Sequence, residues 1–332
     1  MNNDRIQEIL DLMEEARLDY FLISDPQSIA YCTGYYNDPH ERMFVFMISK
    51  HGNHTLFMND LFYLEHDLDV NIVWHKDGQD AIQTIVDEMH FPGRIGIDKN
   101  WASHFLLDLM KKLPDAKYIN ASPCVDLVRM KKDLQEQVLM IESSKINDAV
   151  MEEIIPFIKE GVTEKQLAKK LDELFFNHHS TCYGAIVAFG KNAADPHHEN
   201  DDTPLRKGDC VLIDMGCVYK GYCSDMTRTF FYEGILEEEI KVYEIVKKAN
   251  EAAEAMIKPG VKLSDIDKCA RKVISDEGYG KYFTHRLGHF IGRDVHEYGD
   301  VSSVNEMEVE EGMIFSIEPG IYLEGNFGVR VE

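Results

Sequence analysis

An aspartate inside an apolar, strand-like run is the feature of this sequence that most restricts its fold. Asp214 lies in the middle of Cys210-Val-Leu-Ile-Asp-Met-Gly-Cys, where an isolated ionised carboxylate would be strongly destabilising. Its carboxylate must be paired with a cation, held by several hydrogen bonds or bound to a metal ion. The run therefore predicts a buried strand that carries one specifically partnered carboxylate.

A second aspartate follows in the next strand-like run. Asp225 lies in Gly221-Tyr-Cys-Ser-Asp-Met-Thr-Arg-Thr-Phe. A hairpin turn centred on Tyr219-Lys220 would make the two aspartates direct cross-strand partners, with Cα atoms about 4.5–5.5 Å apart. Two carboxylates this close repel each other, so either one binds a proton or a cation lies between them. Alternatively, one aspartate pairs with Arg228 or caps a turn, and this pair of residues alone does not favour a metal site over that arrangement.

A similar pair of acids occurs at the end of the sequence. Glu318 ends the apolar run Met313-Ile-Phe-Ser-Ile-Glu, and Glu332 ends Gly328-Val-Arg-Val-Glu. A turn at Gly325 would make these two glutamates cross-strand partners. Four acids from two hairpins form the oxygen-rich ligand set that is expected of a pair of divalent cations.

Histidines supply the remaining signal. Three of them lie in one glycine-interrupted segment: His285, His289 and His296. A single histidine is more often an ordinary core or surface residue, but three in one such segment favour a site. One imidazole added to a set of carboxylates favours Mn, Fe, Co or Zn over Ca or Mg. His197 and His198 follow a predicted strand at Ala185–Gly190, which predicts a loop that presents an imidazole at the strand end.

The pattern along the chain predicts two domains, because 332 residues exceed the usual size of a single core. Residues 1–124 alternate between helical and strand-like segments, which predicts an α/β domain without a recognisable catalytic motif. Residues 125–332 carry strands and helices in separate blocks. This arrangement predicts an α+β domain with an antiparallel or mixed sheet and helices on one face.

Composition excludes several classes of partner. The net charge of −24 and the lack of a Lys/Arg cluster argue against a nucleic-acid partner. No stretch approaches the roughly 20 apolar residues of a membrane span, and the N-terminus lacks the features of a signal peptide. Seven cysteines without CxxC spacing predict buried thiols in a reducing compartment. We therefore expect a cytoplasmic protein without a membrane partner.

Taken together, these segments resemble the pita-bread metallopeptidases, the family of methionine aminopeptidase, aminopeptidase P and prolidase (Xaa-Pro dipeptidase). The matching segments follow one another in family order over about residues 125–332: Phe189-Gly with Pro196-His-His, Val211-Leu-Ile-Asp-Met-Gly, Gly221-Tyr-Cys-Ser-Asp-Met-Thr-Arg-Thr-Phe, His285-Arg-Leu-Gly-His-Phe-Ile-Gly, Val295-His-Glu, Ile317-Glu-Pro-Gly-Ile-Tyr and Gly328-Val-Arg-Val-Glu. The additional N-terminal domain is similar to that of the prolidase and aminopeptidase P branch. The resemblance implies an α/β, creatinase-like domain followed by an α+β pita-bread domain.

The resemblance also implies two divalent metal ions that activate a water. The implied ligands are Asp214 for one ion, His289 and Glu318 for the other, and Asp225 and Glu332 as bridges. Manganese is the expected metal, and cobalt, iron and zinc suit the same ligands. The implied catalytic residues are His197 and His296, which would contact the substrate, and His285 and Arg330, which would orient the site. His198 is expected to be structural.

The reaction implied is hydrolysis of the bond before proline in an Xaa-Pro dipeptide, by a homodimer. The alternatives are an aminopeptidase of the P type acting on longer peptides, a non-peptidase hydrolase and a non-catalytic binding protein on this scaffold. The sequence departs from several prolidases because no arginine follows His296-Glu, so a free substrate carboxylate would need another cation. Relatives usually continue beyond the last ligand, so we also expect further residues after Glu332.

Overall fold

The computed structural model describes residues 1–90 and 92–332, which divide into two compact units, Met1–Arg129 and Met130–Glu332. The boundary predicted between residues 124 and 125 lies inside the helix Pro123–Met130. Among the described residues, no helix combines the length and the apolar character that a bilayer crossing requires.

The first unit is a sheet with helices, as its alternating pattern predicts. Its elements are α1 (Asn3–Glu15), β1 (Tyr20–Ile23), α2 (Pro26–Thr33), β2 (Val45–Ser49), β3 (Thr55–Asn59), β4 (Asn71–His75), α3 (Ala81–Glu88), β5 (Arg94–Ile97), α4 (Ser103–Lys112), β6 (Lys117–Asn120) and α5 (Pro123–Met130). The strand order is β4-β3-β2-β1-β5-β6. Strands β1, β2 and β3 pair antiparallel, whereas the outer pairs are parallel. The turn between the antiparallel strands β2 and β3 contains His51.

The second unit contains the segments that carry the predicted site. Its elements are α6 (Leu134–Ile154), α7 (Glu164–Asn177), β7 (Thr181–Cys182), β8 (Ile186–Phe189), β9 (Cys210–Met215), β10 (Cys217–Tyr219), β11 (Tyr222–Cys223), β12 (Met226–Phe231), α8 (Glu237–Glu254), α9 (Leu263–Asp276), β13 (Gly288–His289), β14 (Asp300–Val301), β15 (Gly320–Leu323) and β16 (Phe327–Arg330). Strands β12, β9 and β8 form an antiparallel sheet. The predicted α+β layout is confirmed.

Two helices of this unit begin at side-chain caps that the sequence encodes. Asp133 accepts hydrogen bonds from the first turn of α6 while Glu136 bonds back to it, and Thr163 and Gln166 do the same for α7. Each arrangement satisfies backbone N–H groups that a helix start leaves without partners. The caps fix the start of α6 at Leu134 and the start of α7 at Glu164.

Apolar side chains from α6 and α7 form one core with the sheet behind the site. Ile154, Leu171 and Phe175 are fully buried, and so are Val187 and Val211 from β8 and β9. Burying such side chains stabilises the fold by about 1.5–3 kcal/mol each. The core therefore fixes the sheet that carries Asp214.

The register of the hairpin between β9 and β12 corrects the sequence analysis. Asp214 pairs with Thr227, not with Asp225. The two-residue turn consists of Lys220 and Gly221, both with positive φ (49° and 81°), rather than Tyr219 and Lys220. Two-residue hairpin loops need positive φ, which glycine adopts far more readily than tyrosine. Asp225 nevertheless lies two residues before Thr227 and so projects to the same face as Asp214.

The predicted register of the C-terminal hairpin is confirmed. Gly320 pairs with Arg330 and Leu323 with Phe327, around a turn that contains Gly325 with φ 77°. Continuing this register beyond the paired strands places Glu318 opposite Glu332. The hairpin therefore brings the second pair of acids together.

We expect Gly221→Ala to lower the free energy of unfolding of the second unit by about 1–2 kcal/mol, because a side chain disfavours the left-handed conformation. The new Cβ would also lie 3.2 Å from Arg293 Nη2. Urea unfolding followed by circular dichroism measures the effect. Lys220→Asn is the matched control and should not destabilise, since asparagine tolerates positive φ. Equal stability of Gly221→Ala and the unchanged protein would contradict the turn.

Candidate active site

A cavity of about 410 Å³ in the second unit collects most of the predicted site residues. Eight of the nine line it: His197, Asp214, Asp225, His285, His289, His296, Glu318 and Arg330. The ninth, Glu332, offers a carboxylate oxygen in one group with Asp225 and His289, in which all ligand atoms lie within 4.8 Å of one another. The structure thus brings all nine residues to one region.

The potential ligands come from the ends of short strands. Asp214 lies within β9, Asp225 immediately precedes β12, and His289 ends β13. Glu318 lies just before β15, and Glu332 lies just after β16. Because two hairpins and β13 converge here, residues distant in sequence provide one set of oxygen and nitrogen donors.

His289 is oriented so that one ring nitrogen faces the acids. Its Nε2 lies 3.5 Å from Asp225 Oδ2 and 3.3 Å from Glu318 Oε1, and only 3% of the residue is exposed. Its Nδ1 lies 3.3 Å from the Phe290 carbonyl oxygen. A proton on Nδ1 would be donated to that carbonyl, which leaves the Nε2 lone pair for a cation.

Ser316 connects the histidine to one of the acids. The backbone N–H of His289 donates to Ser316 Oγ at 3.1 Å, and this hydroxyl donates to Glu318 Oε1 at 3.2 Å. The serine therefore fixes the position of the glutamate relative to the imidazole.

The buried carboxylates destabilise one another in the charged state. Burial raises the pKa of Asp214, although Arg330 opposes this rise. Burial, together with the charges of Asp214 and Asp225, raises the pKa of Glu318 to about 7. The pKa of Glu332 is raised well above its usual value by burial and by the neighbouring acids. A cation among these groups would remove the repulsion.

Glu332 also has an unsatisfied oxygen. Its Oε2 accepts a hydrogen bond from Thr227 Oγ1 at 3.1 Å, whereas its Oε1 is buried without a hydrogen-bond partner. Buried polar atoms without a partner are rare in proteins, and a bound ion is one way in which such an atom is satisfied. Four carboxylates, one imidazole and an orphaned oxygen therefore fit a group of divalent cations.

Arg330 holds one oxygen of Asp214 and connects it to other parts of the site. Its Nη2 donates to Asp214 Oδ2 at 2.6 Å, its Nε to Thr227 Oγ1 at 3.0 Å, and its Nη1 to Tyr322 at 3.0 Å and to the Pro196 carbonyl at 3.3 Å. The arginine is 3% exposed. All of its nitrogens are engaged, so it orients groups rather than offering a free charge.

The three histidines outside the acid cluster differ in setting. His285 lies 2.8 Å from the Tyr322 hydroxyl, and burial lowers its pKa to about 4, so it is neutral near pH 7. His296 packs against His289 with ring centroids 4.2 Å apart, and burial followed by the charges of His289 and Arg286 lowers its pKa. His197 is exposed, on the loop after the short 3₁₀ turn Gly190–Ala194.

Tyr183 is a further residue of the site, and no sequence motif indicates it. Its hydroxyl lies 2.9 Å from Asp225 Oδ1 and 2.8 Å from the Ser224 carbonyl oxygen, so it can donate its proton to either acceptor. A side chain at Gly216 would collide with this hydroxyl, since an added Cβ would lie 1.8 Å from it. The contact depends on the glycine at position 216, which leaves room for the tyrosine ring.

His198 contacts a buried acid away from the cavity floor. Its Nε2 lies 2.7 Å from Glu164 Oε2, and Glu164 also accepts hydrogen bonds from the backbone of Phe189 and Asp201 and from Asn192. Glu164 is fully buried. Because its oxygens are already satisfied, this group holds the loop that carries His197.

Comparisons with known proteins follow the same division of the chain. Residues 138–332 match the model of metallopeptidase family M24, and residues 5–131 match that of the creatinase/prolidase N-terminal domain. The chain is 35% identical over 337 aligned residues to an uncharacterised peptidase of Staphylococcus aureus (strain bovine RF122 / ET3-1), covering 99% of this chain and 94% of that protein.

Solved structures are similar over both units. A recombinant prolidase from Thermococcus sibiricus has 33% identity and a TM-score of 0.94, with 100% of this chain and 93% of that chain covered. A Xaa-Pro dipeptidase from Bacillus anthracis has 28% identity and a TM-score of 0.91, with 99% and 92% covered. This family relationship implies divalent metal ions and a peptide substrate.

We expect divalent metal to raise the melting temperature of chelator-treated protein, and more at pH 7.5 than at pH 5. The folded pKa of Glu318, about 7, exceeds its unfolded value, so its contribution to stability is present below the unfolded pKa and is lost as pH rises through the folded one. A bound metal ion offsets this loss of stability at high pH. At low pH, protons compete with the metal ion for the carboxylates. Thermal unfolding with and without Mn²⁺ checks this. An equal gain at both pH values, or no gain, would count against the acid cluster as a cation site.

Proposed function

The chain belongs to metallopeptidase family M24, and from that premise we propose that it is a Xaa-Pro dipeptidase, which hydrolyses the bond before proline. The observation that carries the proposal is the cluster of four partly buried carboxylates and His289 beside one cavity. The similarity to a prolidase and a Xaa-Pro dipeptidase over nearly the whole chain supports the choice of substrate.

We propose that the cluster holds two divalent ions. Asp214 would hold one ion, His289 and Glu318 the other, and Asp225 and Glu332 both. Manganese is the proposed metal, and cobalt, iron and zinc accept the same donors. When bound, such ions lower the pKa of a water and polarise a carbonyl group.

The other cavity residues have complementary roles in this proposal. His296 and His197 line the space beside the acids, where an imidazole N–H can stabilise charge that develops on the carbonyl oxygen. Arg330 holds Asp214 in place through its bond to Oδ2. Tyr322 contacts both Arg330 and His285, so the orientation of Asp214 depends on a continuous set of hydrogen bonds.

The second candidate is an aminopeptidase of the P type, which would act on longer Xaa-Pro peptides. The observation in its favour is the segment His296-Glu-Tyr-Gly-Asp-Val, which has no arginine to bind a free carboxylate. The expected homodimer and cytoplasmic location remain predictions. No disulfide bond joins any of the seven cysteines, all of which lie within the described residues, and this supports a reducing compartment.

We expect the metal-reconstituted protein to cleave Ala-Pro faster than Ala-Pro-Ala and to leave Ala-Ala largely intact. Metal-stripped protein should be inactive until Mn²⁺ is added. Measurement of kcat/KM for the three peptides checks this. A preference of tenfold or more for Ala-Pro-Ala would contradict the dipeptidase proposal and support the aminopeptidase. If no peptide is cut with any divalent metal, both proposals are wrong.

Two substitutions should separate metal binding from catalysis. Asp225→Asn should lower both the affinity for metal and kcat/KM by more than about 100-fold, which exceeds the effect of losing a residue that only supports a ligand.

His296→Ala should lower kcat by about 10²–10³-fold, as for loss of one oxyanion donor, and should leave metal content unchanged. Metal analysis and steady-state kinetics test both. The surface variant Asp276→Asn is the control, and a proportional loss of metal in His296→Ala would make that histidine a ligand instead.

A further inference from the structure

Arg286 is a cationic residue in the wall of the cavity without a partner among the residues that the structure describes. It lies between His285 and the strand β13, is exposed, and lines the same cavity as His197 and His296. Its guanidinium group makes no hydrogen bond or ion pair with any other residue in the ranges 1–90 and 92–332. A free guanidinium in a cavity is available for a ligand.

The main chain that carries Arg286 is held firmly on both sides. Arg271 Nη2 donates to the His285 carbonyl, and His285 Nδ1 lies 2.7 Å from the Arg286 carbonyl. The backbone N–H of Leu287 lies within hydrogen-bond distance of Asp267 Oδ1 (3.1 Å) and of the Val301 carbonyl (2.9 Å). The backbone is therefore fixed, and only the side chain of Arg286 is free to adjust to a bound group.

Of the two arginines among the described residues that line the cavity, Arg286 is the one available to a substrate carboxylate. The other arginine in the lining is Arg330, which is buried and bonded to Asp214. Arginine binds carboxylates with two parallel hydrogen bonds, which gives orientation as well as affinity.

We propose that Arg286 binds the free carboxylate of the residue after the scissile bond, which in a Xaa-Pro dipeptide is the proline carboxylate. The inference rests on the proposed function and assigns the specificity for dipeptides to one residue. It also accounts for the missing arginine after His296-Glu, because Arg286 supplies a cation to the same cavity from a different segment. A peptide that continues beyond proline has no carboxylate at this point and loses the interaction.

The test compares Ala-Pro with Ala-Pro-amide, whose C-terminus is uncharged, in manganese-loaded protein. The unchanged protein should prefer Ala-Pro. Arg286→Gln should lower kcat/KM for Ala-Pro by about 10- to 100-fold, the range for a lost charge-assisted hydrogen bond. The loss should appear mainly in KM, because binding to the carboxylate is the same in the ground and transition states. Turnover of Ala-Pro-amide should be nearly unchanged.

Controls separate this role from a structural one. Arg206→Gln removes the same charge from an exposed position outside the cavity lining and should behave as the unchanged protein does, and Arg286→Lys should recover part of the preference. Equal losses for both substrates in Arg286→Gln, or an initial preference for the amide, would overturn the inference. Failure of the unchanged protein to cut either substrate would instead overturn the proposed function on which it rests.

Discussion

Repulsion among buried carboxylates is the constraint on which the second unit depends. Asp214, Asp225, Glu318 and Glu332 converge from two hairpins, and burial raises the pKa values of three of them, Asp214, Glu318 and Glu332. A fold gains no stability from placing four acids together unless a cation offsets their charge. The apolar core of α6, α7 and the sheet supplies the stability that keeps them close. The arrangement is therefore best understood as a fold that supports a cation site.

Arg330 offsets part of this repulsion from within the protein. It neutralises one oxygen of Asp214 and reaches the Pro196 carbonyl on the loop of His197. Tyr322 extends the same contacts to His285. Because the Arg330 guanidinium is buried and all of its nitrogens donate hydrogen bonds within the protein, it is not available to bind a substrate group. Arg286 differs from Arg330 because it is exposed and has no partner among the described residues. Arg330 therefore orients Asp214, whereas Arg286 is available to the substrate.

Much of the fold could be predicted from the sequence where local chemistry is strong. The two strands on either side of His51 and the C-terminal hairpin have alternating or apolar runs and a glycine in the turn. The register predicted for the C-terminal hairpin is confirmed. The helix α2 was missed although Asp25 caps it, Pro26 begins it and Gly34 ends it, because its eight residues are too few for a clear periodic pattern. The sequence does not predict the edge strand β6, because apolar and polar residues do not alternate in Lys117–Asn120.

The sequence by itself determined the residue types and the order of the site: two aspartates and two glutamates in strand-like runs, and histidines among glycines. It also determined that such acids need a cation, a proton or several hydrogen bonds, because burying an unpartnered charge is costly in any fold. Only the tertiary structure decided the turn at Lys220-Gly221, the contact of Tyr183 with Asp225, and the isolation of the Arg286 side chain beside the cavity. These features depend on which distant segments meet, and such contacts leave no local pattern in the sequence.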